Sequence, residues 1–136
     1  MKKQAASILI FLFLAALFTG CSRGDVSHVQ KTIGDSELFA PREIRSAMEV
    51  VIRQFRRTFC GCTLTELGYD EEYSAAASEE WAAQYDADEA ILLISSFDVD
   101  ASGGDGSLNP NSTYDDFTWI LTRSHGGGWT LQTWGY

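Results

Sequence analysis

Between Asp98 and Asn111 the chain alternates oxygen-bearing side chains with turn formers: Asp98, Asp100 and Ser102, then Gly103, Gly104, Asp105 and Gly106. A hard cation such as calcium takes about six to eight oxygens from a tightly turning backbone. Asp98, Asp100 and Ser102 stand at the spacing of its first three loop ligands, and Gly103 falls where such a loop must turn. The match then departs. Asp105 replaces the usual apolar residue, Asn109 stands where a bidentate Glu is needed, and a strand leads in where a helix should. The expected metal set is therefore Asp98, Asp100, Ser102 and Asp105, with calcium as the ion. The competing expectation is a long hairpin loop whose Gly, Asn, Asp and Pro serve turn geometry alone.

A second set is aromatic. Tyr114, Trp119, Trp134 and Tyr136 lie in the last quarter of the chain. On an uncovered sheet face they would stack against a sugar or an apolar ligand; otherwise they fill the core. Residue parity puts Trp134 with Tyr136 and leaves the side of Trp119 open. Catalytic constellations are not visible. There is no G-x-S-x-G, no phosphate loop and no His-Glu-x-x-His. His28 and His125 lie in polar or glycine-rich stretches. Cys60 and Cys62 flank Gly61, too close for ordinary disulfide geometry and too few for zinc. Carboxylates such as Asp98, Asp116 and Glu66 keep acid–base chemistry open by residue type. Arg53, Arg56 and Arg57 could meet an anion, but they also suit the C-terminal end of a helix.

These residues need elements to position them. Pro41 suits the first helical position, and Ile44, Met48, Val51, Ile52, Phe55 and Phe59 then follow a helical stripe to Phe59. Cys62 to Tyr69 reads as a strand, rich in Thr and loosely alternating. Asp70 is a natural N-cap for a second helix, alanine-rich from Ala75 to Tyr85, with Ala77, Trp81, Ala82 and Tyr85 on one stripe. Three strands close the chain: Ala90–Val99, Tyr114–Arg123 and Trp129–Tyr136, the last two joined across Gly126–Gly128. In the first of them Ile91, Leu93, Phe97 and Val99 share one face, Leu92 and Ile94 the other. Apolar residues on both faces imply a central strand, a pocket or a second chain. The order α-β-α-β-β-β with short connections predicts an α+β domain. Its curved antiparallel sheet of about four strands packs both helices on one face.

The chain begins differently. Lys2 and Lys3 precede an apolar run from Ala5 to Phe18, and Leu17-Phe18-Thr19-Gly20-Cys21 follows. As a helix the run spans only ~21 Å, short for a bilayer, and its charged start and small-residue end read as an export signal. The last five residues resemble the lipobox of bacterial lipoproteins, with Cys21 as the acylated residue. Expected are a signal peptide over 1–20, a flexible tether over 21–39 and one domain over 40–136. The whole chain carries −9; without Lys2 and Lys3, eight cations face nineteen acids. No Lys or Arg occurs between Thr58 and Thr122, where fourteen acids do. That balance argues against nucleic acid and anionic headgroups as partners, and fits a soluble exported surface.

Gly61-Cys62-Thr63-Leu64-Thr65-Glu66-Leu67, Tyr69-Asp70-Glu71-Glu72, the loop Gly104-Asp105-Gly106-Ser107-Leu108-Asn109-Pro110-Asn111-Ser112-Thr113-Tyr114 and the ending Trp134-Gly135-Tyr136 resemble a family of uncharacterised lipoproteins from Gram-positive gut bacteria. The resemblance covers most of residues 38–136. It implies an extracytoplasmic location on the outer face of a bacterial membrane and no reaction. The element order is also similar to cystatin-like and nuclear-transport-factor-like cones, in which a sheet wraps a long helix; that likeness concerns shape only.

The expected function is a non-enzymatic binding or interaction module at the cell surface, held by the lipid on Cys21, with a homodimer through the second sheet face as one version. The alternatives are a hydrolase-type enzyme using a carboxylate at the mouth of the sheet, and a calcium-stabilised structural module.

Overall fold

The computed structural model describes residues 23–136; the apolar run and Cys21 lie outside the described residues. The first helix, α1 (Pro41–Thr58), starts where the sequence predicts. Pro41 pre-sets φ at the first position, and Glu43 reaches back 2.7 Å to the amide of Ala40, satisfying one donor of the first turn. Its apolar stripe is Ile44, Ala47, Met48, Val51, Ile52 and Phe55, all buried.

The sheet has five strands in chain order: β1 (Gln30–Ile33), β2 (Cys62–Tyr69), β3 (Glu89–Val99), β4 (Thr113–Arg123) and β5 (Thr130–Gly135). About four strands, all antiparallel, were expected. The sheet is instead mixed, because β1 lies parallel to β2, with Gln30 opposite Glu66 and Ile33 opposite Tyr69. The other three pairs are antiparallel. β1 comes from the stretch read as tether. Four residues with three exposed side chains carry no period; the strand exists because the edge of β2 offers it a partner. The same stretch is tied down elsewhere. Glu71 accepts hydrogen bonds from the Ser36 hydroxyl at 2.6 Å and from the Glu37 and Leu38 amides at 3.0 and 2.9 Å.

The second helix, α2 (Glu71–Gln84), starts on Asp70, whose carboxylate accepts from the Tyr73 amide at 2.9 Å. It does not join α1. α1 packs on the face carrying Leu64, Leu67, Ile91, Leu93, Phe97, Trp119 and Leu121, which form the core. α2 crosses the opposite face, where Tyr73 bonds the Thr118 hydroxyl at 2.7 Å and Ser74 accepts from the Leu92 amide at 3.0 Å. Both faces of β3 are apolar for that reason: each has its own helix. Among the described residues no helix is long and apolar enough to cross a membrane.

Candidate functional site

The two helices cover their faces unequally. α1 presents Ile44, Met48, Val51 and Phe55, each fully buried. α2 buries only Ser74 and Ala82, with Ala77 half-buried and Ala76 exposed. What is left is a groove of about 370 Å³, with Tyr73, Ala77 and Trp81 on the helix side and Leu92, Thr118, Ile120 and Thr133 on the sheet side. Trp134 and Tyr136 border its outer end along β5, but their rings pack toward the α1 side, Trp134 on Trp119 and Phe59 and Tyr136 on Tyr114 and Phe117. This size falls in the range of small-molecule sites, and among the described residues no Asp, Glu, His, Lys or Arg side chain lines it.

The four aromatic residues expected to act together separate. Trp119 is fully buried and donates its indole N–H to Ser95 Oγ at 2.8 Å, so it is core and not ligand surface. Register explains the error: Trp119 pairs with Leu93 on one side and Trp134 on the other, directly over α1. Tyr114 stacks on Phe97 at 5.1 Å and on Tyr136 at 6.1 Å, and its hydroxyl accepts from the Asn109 amide at 3.1 Å. Trp134 remains at the rim, 5.6 Å from Trp119 and 6.1 Å from Phe59. Residue reasoning passed over Tyr73. The signal was there, since Tyr73, Ala77 and Trp81 recur every fourth residue with alanine between two aromatics.

Trp134 also borders a second cavity, of about 300 Å³, at the C-terminal end of α1, shared with Phe59, Cys60, Asp105, Leu108 and Phe117. Its polar groups are quiet at neutral pH. Ser107 holds the Asp105 carboxyl below the ordinary range by side-chain and backbone hydrogen bonds. Burial, and then the charges of Asp100 and Asp105, push the Cys62 thiol up to about 11. Cys62 is a free, buried thiol.

In the 98–111 loop each acid turns to its own neighbour. Asp98 accepts from the Thr113 hydroxyl at 2.7 Å, Asp100 from the Ser102 amide at 2.8 Å, and Asp105 from the Ser107 amide at 3.0 Å. Ser102 bonds Asp100 through its hydroxyl as well. Gly61 packs against this knot with φ at +72°, and a Cβ there would lie 2.6 Å from Ser102 Oγ. Among the described residues no three or more His, Cys, Asp or Glu gather where a metal could sit. Asp98, Asp116 and Glu66 are all exposed.

The opposite end of the sheet is tightly closed. Arg123, with 11% of its side chain exposed, bonds Glu43 at 2.8 Å and Glu89, and its guanidinium lies 4.3 Å from the Trp129 ring centre. Trp129 in turn donates to the Glu43 carbonyl at 3.0 Å. This cluster clamps the start of α1 to β4.

No protein-family model matches the chain, and no curated protein or solved structure matches it.

Proposed function

We propose that this chain is an exported, lipid-anchored binding module that holds a small apolar or aromatic molecule in the groove between α2 and the sheet. The carrying observation is the groove itself: about 370 Å³ of apolar and hydroxyl-bearing surface with the exposed Tyr73 at its edge. Apolar walls provide affinity by excluding water, and Thr118 and Tyr73 supply the few polar groups that orient a ligand. The anchor rests on the basic start, the apolar run and the lipobox-like end at Cys21, and the resemblance to surface lipoproteins fits it. Binding is favoured over catalysis because no acid, base or activated nucleophile lines the groove.

The homodimer version loses most of its surface, because α2 of the same chain already covers Leu92, which is only 4% exposed. Native mass spectrometry of the full chain purified from bacterial membranes tests these readings together. The expected result is a lipid mass on Cys21, lost in Cys21→Ser, and a small-molecule adduct, lost in Ala77→Trp. A bare chain that takes up nothing overturns the binding reading. A calcium adduct lost in Asp100→Ala would install the calcium-stabilised module in its place, and a stable dimer the self-association version.

A further inference from the structure

Net charge hides a segregated patch. Arg23, Arg53, Arg56 and Arg57 line one open concavity of about 580 Å³, and all four are exposed. They are half of the eight cations left when Lys2 and Lys3 are set aside. Among the other four, Arg123 is paired with Glu43 and Glu89, and Lys31 with Glu49. None of the clustered four has a carboxylate at ion-pair distance among the described residues, in a chain where acids outnumber bases. Arg23 also borders a neighbouring cleft with Asp25, Asp98 and Asp100.

Helix-end chemistry accounts for only part of the cluster. Arg56 and Arg57 lie in the last turn of α1, where cations oppose the dipole. Arg53 is a turn earlier, and Arg23 comes from another part of the chain. It is delivered by its neighbour. The Gly24 amide donates to the Arg56 carbonyl at 3.1 Å, and a Cβ on Gly24 would sit 2.4 Å from the Phe55 carbonyl oxygen. Only glycine lets the chain lie this close to the helix end, and that brings Arg23 into the concavity of Arg53, Arg56 and Arg57.

We propose that this cluster is a docking surface for anionic phospholipid headgroups, setting the domain arginine-side down on the membrane that holds Cys21. The orientation rests on the anchor reading above; headgroup binding by the cluster does not. Only Ser22 separates Cys21 from Arg23, two steps of chain with a reach of about 7 Å at full extension. The headgroup layer is itself about 5–8 Å deep on each side of the bilayer. A lipid on Cys21 therefore keeps Arg23, and the concavity it shares with Arg53, Arg56 and Arg57, close to the headgroup layer. The planar guanidinium forks match phosphate oxygens, and the acid-rich stretch from 58 to 122 is repelled from the same surface.

The test compares partition of the full-length Cys21→Ser chain onto two kinds of vesicle. One is phosphatidylcholine alone; the other is phosphatidylcholine and phosphatidylglycerol in equal parts. The ratio of the two cancels the apolar N-terminal run, and Lys2 and Lys3 are common to every variant. Arg53→Gln with Arg56→Gln should lower the ratio roughly five-fold per arginine. Arg42→Gln with Arg45→Gln, at the far end of α1, should leave it unchanged, and added salt should lower it for the parent. A ratio indifferent to the Arg53 and Arg56 changes overturns the proposal. So does a preference abolished by inorganic phosphate at constant ionic strength, which would mark a soluble-anion site. The intact mass at Cys21 is read separately. Lipid present without the arginine effect sinks the docking surface alone, and the effect without lipid sinks the anchor alone.

Discussion

The two faces of the sheet have the same kind of strand residue beneath them and very different helices above. Over one face α1 sends down Ile44, Met48, Val51 and Phe55, and the space left open lies beyond them, in the cavity beside Phe59 at the end of the helix. Over the other α2 sends down only Ser74 and Ala82, and a groove remains beside Ala77. The sheet does not decide which face binds. The volume of the helix residues does: a short side chain over an apolar strand leaves space that no other described residue fills. The groove is therefore a consequence of composition at a few positions of one helix.

The largest effects should come from breaking the filled face. Trp119→Ala removes a fully buried side chain packed on Phe55 and Phe59, and should cost about 3–5 kcal/mol in denaturant unfolding. Trp134→Ala, the cross-strand neighbour at the rim, should cost about 1 kcal/mol or less because it is already 40% exposed. Equal costs for the two would erase the distinction between core and rim. Next comes the closed end. Arg123→Ala leaves Glu43 and Glu89 unpaired beside Trp129 and should cost about 2 kcal/mol, below the value for fully buried pairs because both acids are partly exposed.

Acid should loosen the segment that leads into α1. Glu71 is held below its ordinary value near 4.5, chiefly by the Ser36 hydroxyl and then the Leu38 and Glu37 amides. Glu43 is lowered by the Ala40 amide first and by Arg123 second. A carboxyl depressed in the folded state binds fewer protons there than when unfolded. Its stabilising contribution is complete above the ordinary value and is lost as pH falls through the folded one. Urea midpoints measured from neutral pH downward should fall in that window, and Glu71→Gln should flatten the slope. The smallest effect should be a gain. The Tyr69 hydroxyl is buried among Ser36, Glu71 and Ser74 without a hydrogen bond of good geometry to any of them, so Tyr69→Phe should stabilise by about 1 kcal/mol.

Much of this was legible in the residues. The helical stripe from Ile44 to Phe55 sets α1, Asp70 caps α2, and alternation sets β3 and β4 nearly to the residue. What stayed hidden was relational. β1 has no period of its own and depends on an edge strand that lies far along the chain. Periodicity places Ala77 and Trp81 on one stripe but cannot say which sheet face the stripe meets. Parity could not place Trp119 either, because a bulge between Ile120 and Leu121 interrupts the pairing with β5. The arginine cluster was half visible: three members share a helix, and the fourth arrives only because Gly24 folds onto the helix end.

The groove is tested most directly by titrating the chain with N-phenylnaphthylamine, a neutral aromatic dye that is bright only out of water. The parent should bind it, and Ala77→Trp, which fills the groove from the helix side, should weaken binding at least about tenfold, the worth of ~1.4 kcal/mol, while leaving the unfolding midpoint close to the parent's. Binding that is absent in the parent, or unaltered in Ala77→Trp, would contradict the account.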